Sequence, residues 1–305
     1  MSGFEVINSG IFTLIQDRGR FSYTHLGLSN SGIMDEYAAF IAHKLLDNPM
    51  DTNLLEIAFS HVVFKATSTT SIAITGARCE FFINDIALPL WQTYEVHDSD
   101  IIKIGKILEG QRVYIAVKNG FDIPKEFGSN ATSIKESLGG LDGKKISSGH
   151  FIPYTAHHKH IIQRLQQKHT PSYDEEILTL RVVLSYQHNS FTQEEKDIFF
   201  SSTYTISRDF NAMGCKLDGP KIQSCLKGII SEGIAYGAIQ IPPDGQPIIL
   251  LKDRQTIGGY PKIGSVLHID CFKLAQRKVN TKVQFEPIDI EFAQEKLKEF
   301  YKTFR

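Results

Sequence analysis

Two short segments of this 305-residue chain concentrate the side chains that bind anions or move protons. The first is 246–264, QPIILLKDRQTIGGYPKIG, in which an apolar strand is predicted to end in Asp253 and Arg254. Polar side chains at a strand end are held by a rigid sheet and face a cleft or solvent. Arg254 is suited to a two-pronged grip on a carboxylate or phosphate, and Lys262 to stabilising a developing negative charge. Asp253 is suited to orienting either cation or to accepting a proton.

Small and polar residues separate these charges. Gly258 and Gly259 allow backbone N–H groups to approach a ligand closely. The other candidate binding residues of the segment are Gln255, Thr256 and Tyr260. A plainer interpretation is also open, in which Asp253 pairs with Arg254 and the two glycines form a bulge. The residues alone favour that interpretation.

The second segment is 16–35, QDRGRFSYTHLGLSNSGIMD. Asp17 and Arg18 follow a predicted strand, and a loop of small residues then leads into a predicted helix. Such a loop at a helix N-terminus is a natural anion site, although an ordinary capped helix entry explains it equally well. The stretch 14–27 also resembles 250–264, because both carry an Asp-Arg pair after two apolar residues. If these two stretches face each other, Asp17 and Arg18 line the same cleft as Arg254.

The rest of the chain is predicted to be mainly β, with a few helices. Apolar spacing predicts a helix over 34–46 with Ser31 as its cap, and a capping-box pattern predicts another after Thr192. Two further helices are predicted near Asp270 and over 291–301. Short strands are predicted at 71–75, 80–84, 100–107, 112–118, 180–185, 247–251, 265–269 and 282–286, with a turn at 109–110. Many short strands with tight turns favour a barrel or sandwich.

One polar stretch divides this pattern. Segment 155–176 is rich in His and Gln, and it is predicted to join two β-rich lobes, 1–154 and 177–305, within one unit. Its histidines, HHKH at 157–160, lack Cys or acidic partners at ligand spacing, so we predict surface histidines and no metal site.

Composition limits the function classes. Lys and Arg number 33 and Asp and Glu 34, giving a net charge of -1, which argues against nucleic acid and anionic membranes as partners. The four cysteines form no CxxC pair, which suits a reducing compartment. The first residues lack the pattern of a secretory signal, and no apolar run is long enough to span a bilayer. The sequence therefore predicts a cytoplasmic protein.

The order of motifs along the chain resembles a known family. The matching stretches are TLIQDRGR (13–20), SGIMDEYAAFIAHKLLDN (31–48), LLEIAF (54–59), YIAVKNGFDIP (114–124), GS (128–129), MGCKLDGP (213–220), SEGIAYGAIQIPPDGQPIILLKDRQTIGGYPKIG (231–264) and LAQ (274–276). They are similar to the KipA family, which is also known as allophanate hydrolase subunit 2 and includes the C subunit of 5-oxoprolinase. They are also similar to part of the carboxyltransferase region of biotin-dependent urea carboxylase.

This resemblance implies a cyclophilin-like β-barrel fold and a role in a heterocomplex. The implied partners are a KipI-like subunit and a third subunit of the LamB/YcsF type. The implied activity is that of an ATP-dependent 5-oxoprolinase, which opens the lactam of pyroglutamate to glutamate and takes its ATP through the complex. The resemblance carries the positions of Asp253, Arg254 and Lys262 as catalytic candidates, while their individual duties are our inference from chemistry.

The chain departs from the family pattern at two arginines. The family usually reads GSRST and S-[DN]-RMG, where this chain has Asn130 and Ala212 in place of the arginines. Two other functions therefore stay open. One is a urea or amide carboxyltransferase component, for which a biotin carrier must lie elsewhere because this chain has no attachment motif. The other is a non-catalytic regulatory or binding subunit.

Overall fold

Turn chemistry and alternating burial set the strands of this protein. The computed structural model describes residues 1–59 and 61–304. Residues Leu178, Leu180 and Val182 of one strand are buried while their neighbours are more exposed, the period of two expected for a sheet with one core face. Asn84 and Asp85 both have positive φ, 50° and 60°, which suits the tight turn of a hairpin.

Contacts divide the described chain into two units. The first comprises Met1–Phe21 and Ser31–Asp174, and the second comprises Ser22–Asn30 and Glu175 onward. The segment predicted as a linker runs along the first unit over part of its length, since Leu165 N donates to Trp91 O at 2.9 Å.

The first unit is built on one nine-stranded sheet. Its elements are β1 (Gly3–Ser9), β2 (Phe12–Gln16), α1 (Glu36–Leu45), β3 (Leu54–Ala58), β4 (Val62–Ala66), β5 (Thr70–Ile83), β6 (Ile86–Ala87), β7 (Gln92–Val96), β8 (Ile101–Val117) and β9 (Phe151–Pro153). The strand order is β2-β3-β8-β4-β1-β9, and β5 pairs with β6, β7 and β8. Phe4, Phe64, Ile74 and Ile115 are among the residues of its buried core.

The second unit is built on a closed seven-stranded barrel, β10-β17-β14-β15-β12-β11-β18. Its elements are β10 (Ile177–Leu184), α2 (Gln193–Ser201), β11 (Tyr204–Phe210), β12 (Gly214–Asp218), β13 (Glu232–Gly233), β14 (Ala238–Gln240), β15 (Ile248–Leu250), β16 (Ile257–Gly258), β17 (Lys262–Val266), α3 (His268–Leu274), β18 (Lys282–Pro287) and α4 (Ile290–Lys302). Strands β13 and β16 form a separate two-stranded ribbon, which we call the β13–β16 ribbon. The prediction of a mainly β fold with a barrel, cyclophilin-like by resemblance, is confirmed.

Three local predictions were wrong. Strand β8 runs through the expected turn at 109–110, because Gly110 adopts φ 83° and the long β5–β8 pair bends at bulges instead of ending. Strand β17 ends at Val266, and α3 begins where the prediction extended a strand to 269. The cap of α1 is Asp35, which accepts from Ala38 N at 3.1 Å, and not Ser31.

The displaced cap has a physical cause. Residues 33 and 34 are buried and tied to the sheet, since Met34 N donates to Glu56 Oε2 at 2.9 Å. The helix therefore begins only after this anchored lead-in.

The expected cap at Thr192 is confirmed, because its hydroxyl accepts from Glu195 N at 3.2 Å. None of the helices formed by residues 1–59 and 61–304 has the length and apolar character needed to cross a bilayer.

Candidate functional site

The first residue of β17, Lys262, lies in a polar cluster at one end of the barrel. Its side chain is only 7% exposed, and its ammonium forms an ion pair with Glu232 of the ribbon. Glu232 also accepts hydrogen bonds from the Tyr186 hydroxyl and from Gln187 Nε2, the latter at 2.8 Å. Gln187 Oε1 in turn accepts from the backbone N of Lys262 at 2.8 Å. We call these four residues the Lys262–Glu232 cluster, and three separate parts of the second unit hold it in place.

The hydrogen bonds of this cluster set the ionisation of its carboxylate. The donors on Lys262 and Tyr186 lower the pKa of Glu232, and the bond to Glu232 raises the pKa of the Tyr186 hydroxyl. Glu232 is therefore an ionised hydrogen-bond acceptor at neutral pH and a poor general base. Its evident role is to hold the Lys262 ammonium.

The guanidinium of Arg254 is directed at protein acceptors. Nε donates to Ile234 O at 3.0 Å, Nη1 to Leu251 O at 3.1 Å and Nη2 to Asn30 Oδ1 at 2.9 Å. Its Cζ lies 5.9 Å from the centroid of the Tyr236 ring, within cation–π range. Burial lowers the pKa of Arg254. In this structure Arg254 joins three segments of the second unit through two backbone carbonyls and the Asn30 side chain, and its predicted grip on a ligand carboxylate or phosphate stays a prediction.

Asp253 and the residues after Arg254 are held to neighbouring loops by their backbones. Asp253 N donates to Ala212 O at 2.8 Å, so the position where the family carries an arginine adjoins a catalytic candidate. Thr256 O accepts from Ile234 N at 3.1 Å. Tyr260 is partly exposed, at 43%.

Gly258 and Gly259 serve close packing here. A Cβ added to Gly258 would lie 2.6 Å from Ile234 Cδ1 and 2.8 Å from Gln240 Nε2. Gly258 is the register partner of Glu232 in the ribbon, and Gly259 O accepts from Ile229 N at 2.9 Å. The second unit thus brings together Lys262, Gly258 and Gln255, whose Nε2 lies 3.5 Å from Gln240 Oε1.

Asp17 and Arg18 belong to the first unit. Asp17 is 4% exposed, and its carboxylate accepts from Ser129 Oγ at 2.6 Å, Asn130 N at 2.6 Å and Gly19 N at 2.8 Å. Arg18 Cζ lies 5.7 Å from the centroid of the Phe40 ring of α1. Asp17 therefore organises two loops of the first unit, whatever ligand role it has.

We expect Asp17→Asn to destabilise the first unit. The amide replaces one accepting oxygen with a donor that faces donors, so at least one buried N–H or O–H loses its partner. The free energy of unfolding should fall by about 2–3 kcal/mol, the cost of losing hydrogen bonds to a buried charge. Urea denaturation of the two proteins measures it. The exposed Asp142→Asn is the matched control and should change stability by less than about 0.5 kcal/mol.

Four residues of this region were not predicted from the sequence. Glu232, Gln187, Tyr186 and Gln240 carry no motif recognisable from spacing alone. Glu232 and Gln240 do lie within 231–264, the longest stretch of the family resemblance. That stretch is the signal by which these two could have been found, because Lys262 and Gln255, which contact them, lie in the same stretch. Tyr186 and Gln187 lie outside it.

Comparison with known proteins agrees with the resemblance. Residues 26–287 match the family model described as carboxyltransferase domain, subdomain A and B. The C subunit of the 5-oxoprolinase of Escherichia coli (strain K12) is 28% identical over 293 residues, which cover 95% of this chain and 92% of that protein. A putative urea carboxylase of Emericella nidulans is also 28% identical, over 95% of this chain but only 24% of its own length.

A solved structure shares the fold of the chain. The crystal structure of the K. lactis urea amidolyase superposes with a TM-score of 0.93 at 24% identity and covers 99% of this chain. This chain spans 20% of that protein. The closed barrel and the sheet of the first unit are therefore a fold that this larger enzyme contains.

Proposed function

Because the chain belongs to the family of carboxyltransferase domains, subdomains A and B, we propose that it is a subunit of an ATP-dependent 5-oxoprolinase. The complex would hydrolyse the lactam of 5-oxoproline to glutamate. The observation that supports this most is the match to the C subunit of the E. coli 5-oxoprolinase, which extends over nearly the whole of both chains. The urea carboxylase and urea amidolyase, in contrast, match over a quarter or less of their own lengths.

The chemistry of lactam opening gives Lys262 its proposed role. Resonance makes the lactam carbonyl a poor electrophile. Transfer of a phosphoryl group from ATP to its oxygen would release ADP and activate the carbon for attack by water, which breaks the ring C–N bond and leaves an acyl phosphate. A second water would hydrolyse the acyl phosphate to the carboxylate and free phosphate. The phosphoryl transfer and the attack by water both concentrate negative charge, which a fixed ammonium in a partly water-excluded site stabilises. The Lys262–Glu232 cluster holds such an ammonium. Arg254 supports this site by fastening the strand-end loop, and Asp253 remains the candidate for orienting a cation or accepting a proton.

The proposed partners are a KipI-like subunit and a third subunit of the LamB/YcsF type. ATP is proposed as a substrate of the complex rather than of this chain alone. The family comparison supports a multi-subunit assembly, since the E. coli relative is named as one subunit of an enzyme.

A second candidate function is carboxyl transfer to an amide or urea nitrogen. The description of the matching family and the E. nidulans relative favour it. A non-catalytic role is the third candidate. In its favour, Asn130 is 3% exposed and its Nδ2 donates to Ile123 O at 2.6 Å, so a local structural role has taken the place of the family arginine.

The deciding experiment is ATP turnover by this protein co-purified with the KipI-like and LamB/YcsF-type subunits of its own organism. We expect ADP release that 5-oxoproline stimulates, accompanied by an equal amount of glutamate. Turnover stimulated by urea or another amide, with a biotin carrier present, would favour carboxyl transfer. A stable complex without turnover would favour the non-catalytic role, and a variant with both Asn130→Arg and Ala212→Arg would then test whether the two missing arginines are the cause.

A further inference from the structure

The last residue of β14, Gln240, carries a buried carboxamide with an unused donor. Its side chain is 1% exposed, and within the described chain Nε2 has no hydrogen-bond partner. Its Oε1 receives a long 3.5 Å contact from Gln255 Nε2. Buried polar groups are almost always satisfied, so an amide left in this state at the end of a barrel strand needs an explanation.

The position of Gln240 beside Lys262 offers an explanation for the unsatisfied amide. It is the register partner of Lys262 on the neighbouring strand β17, and side chains directly opposite each other in an antiparallel pair lie on the same face. The β13–β16 ribbon covers both side chains. Its Glu232 binds the Lys262 ammonium, and its Gly258 packs against Gln240 Nε2 with no side chain between them.

A carboxamide is complementary to one particular chemical group. It presents an N–H donor and a C=O acceptor along one edge. A lactam is locked in the cis form, and it therefore also presents N–H and C=O along one edge, as urea does. The two edges can form a pair of parallel hydrogen bonds, in which Gln240 Nε2 donates to the ligand carbonyl and Oε1 accepts from the ligand N–H.

We propose that Gln240 is the recognition residue for the cis-amide edge of the substrate, beside the Lys262 ammonium. This inference rests on the proposed function and deepens it, because it names the side chain that recognises the substrate amide. The ligand N–H replaces the long contact from Gln255, whose side chain is partly exposed. Gly258 must remain without a side chain, because a Cβ there would occupy the space beside Nε2. The same edge pairing fits both 5-oxoproline and urea, the compounds in the names of the relatives.

The test measures binding, so it does not depend on turnover. Ligand-observed NMR on the co-purified complex would compare 2-pyrrolidinone with N-methyl-2-pyrrolidinone, which keeps the carbonyl and loses the N–H. We expect wild-type protein to bind the first about tenfold more tightly, and Gln240→Met to lose that preference. Methionine has a similar length and no donor. Thermal melting of Gln240→Met should be unchanged or higher, because the variant removes a buried unsatisfied group.

Two outcomes would overturn the proposal. They are equal binding of the two lactams by wild-type protein and retention of the preference in Gln240→Met. If the preference is retained and the melting temperature falls, Gln240 is a structural residue. If the complex shows the lactam preference but forms no glutamate from 5-oxoproline, the proposed function fails while the recognition role stands. Gly258→Ala is the second variant and should weaken 2-pyrrolidinone binding, because its Cβ would lie 2.8 Å from Gln240 Nε2 and crowd that donor.

Discussion

Replacing Lys262 by alanine should reduce turnover of the complex by about 100-fold or more, the typical cost of removing one preorganised group that stabilises developing charge. Replacing its partner Glu232 by glutamine should cost about tenfold. The glutamine keeps the shape and the hydrogen bonds with Tyr186 or Gln187, but it no longer offers the ammonium a charged acceptor. Both values refer to kcat of the complex saturated with 5-oxoproline and ATP.

The double variant separates positioning from an independent role. If Glu232 acts only through Lys262, then Lys262→Ala with Glu232→Gln should be no slower than Lys262→Ala alone. If the fold-losses in kcat of the two single variants multiply in the double variant, this expectation is contradicted. Glu232 would then have its own contact with the substrate. The exposed Lys227→Ala of the same unit is the matched control and should leave turnover unchanged.

These expectations depend on a contact that spacing along the chain does not predict. Lys262 was identified from the sequence because a cation that follows Gly-Gly-Tyr-Pro in this segment is suited to stabilising a developing negative charge. Glu232 stands 30 residues earlier, alone beside a glycine, and only the pairing of the ribbon strands brings it to the ammonium. Local patterns therefore identify a charged candidate, whereas tertiary pairing decides what holds it.

The same division applies to the fold. Period-two burial and helix caps are local, so the sequence correctly predicted the mainly β character of the chain and the cap at Thr192. The continuous strand β8 was missed because Glu109-Gly110 is good turn chemistry in isolation. Its partner β5 overrides that preference by absorbing the irregularity in bulges. The cap of α1 was misplaced because Glu56, from β3, fixes the lead-in to the helix.

Replacing Arg254 should produce the second large effect. The result distinguishes a guanidinium that stabilises the fold from one that binds a ligand. Arg254→Met removes the guanidinium donors to Ile234 O, Leu251 O and Asn30 Oδ1, and Leu251 O keeps the 3.3 Å bond from the backbone N of residue 254. An unsatisfied buried group costs about 1–3 kcal/mol, and carbonyl oxygens recover part of this through water. We therefore expect the free energy of unfolding to fall by about 3 kcal/mol, measured by urea denaturation.

Arg254→Lys makes the test decisive, because lysine keeps the charge but cannot donate to three separated acceptors from one planar fork. If Arg254 fastens the loop, the lysine variant should lose about 2 kcal/mol of stability, and Asn30→Ala, which removes one of the three acceptors, should lose about 1 kcal/mol. The turnover of both variants should fall along with their stability. If Arg254 instead grips a ligand carboxylate or phosphate, Arg254→Lys should melt like wild type and show a raised KM for 5-oxoproline or ATP. That result would restore the ligand-binding role that the sequence assigned to Arg254, and the three protein acceptors would then be its resting partners in the absence of substrate.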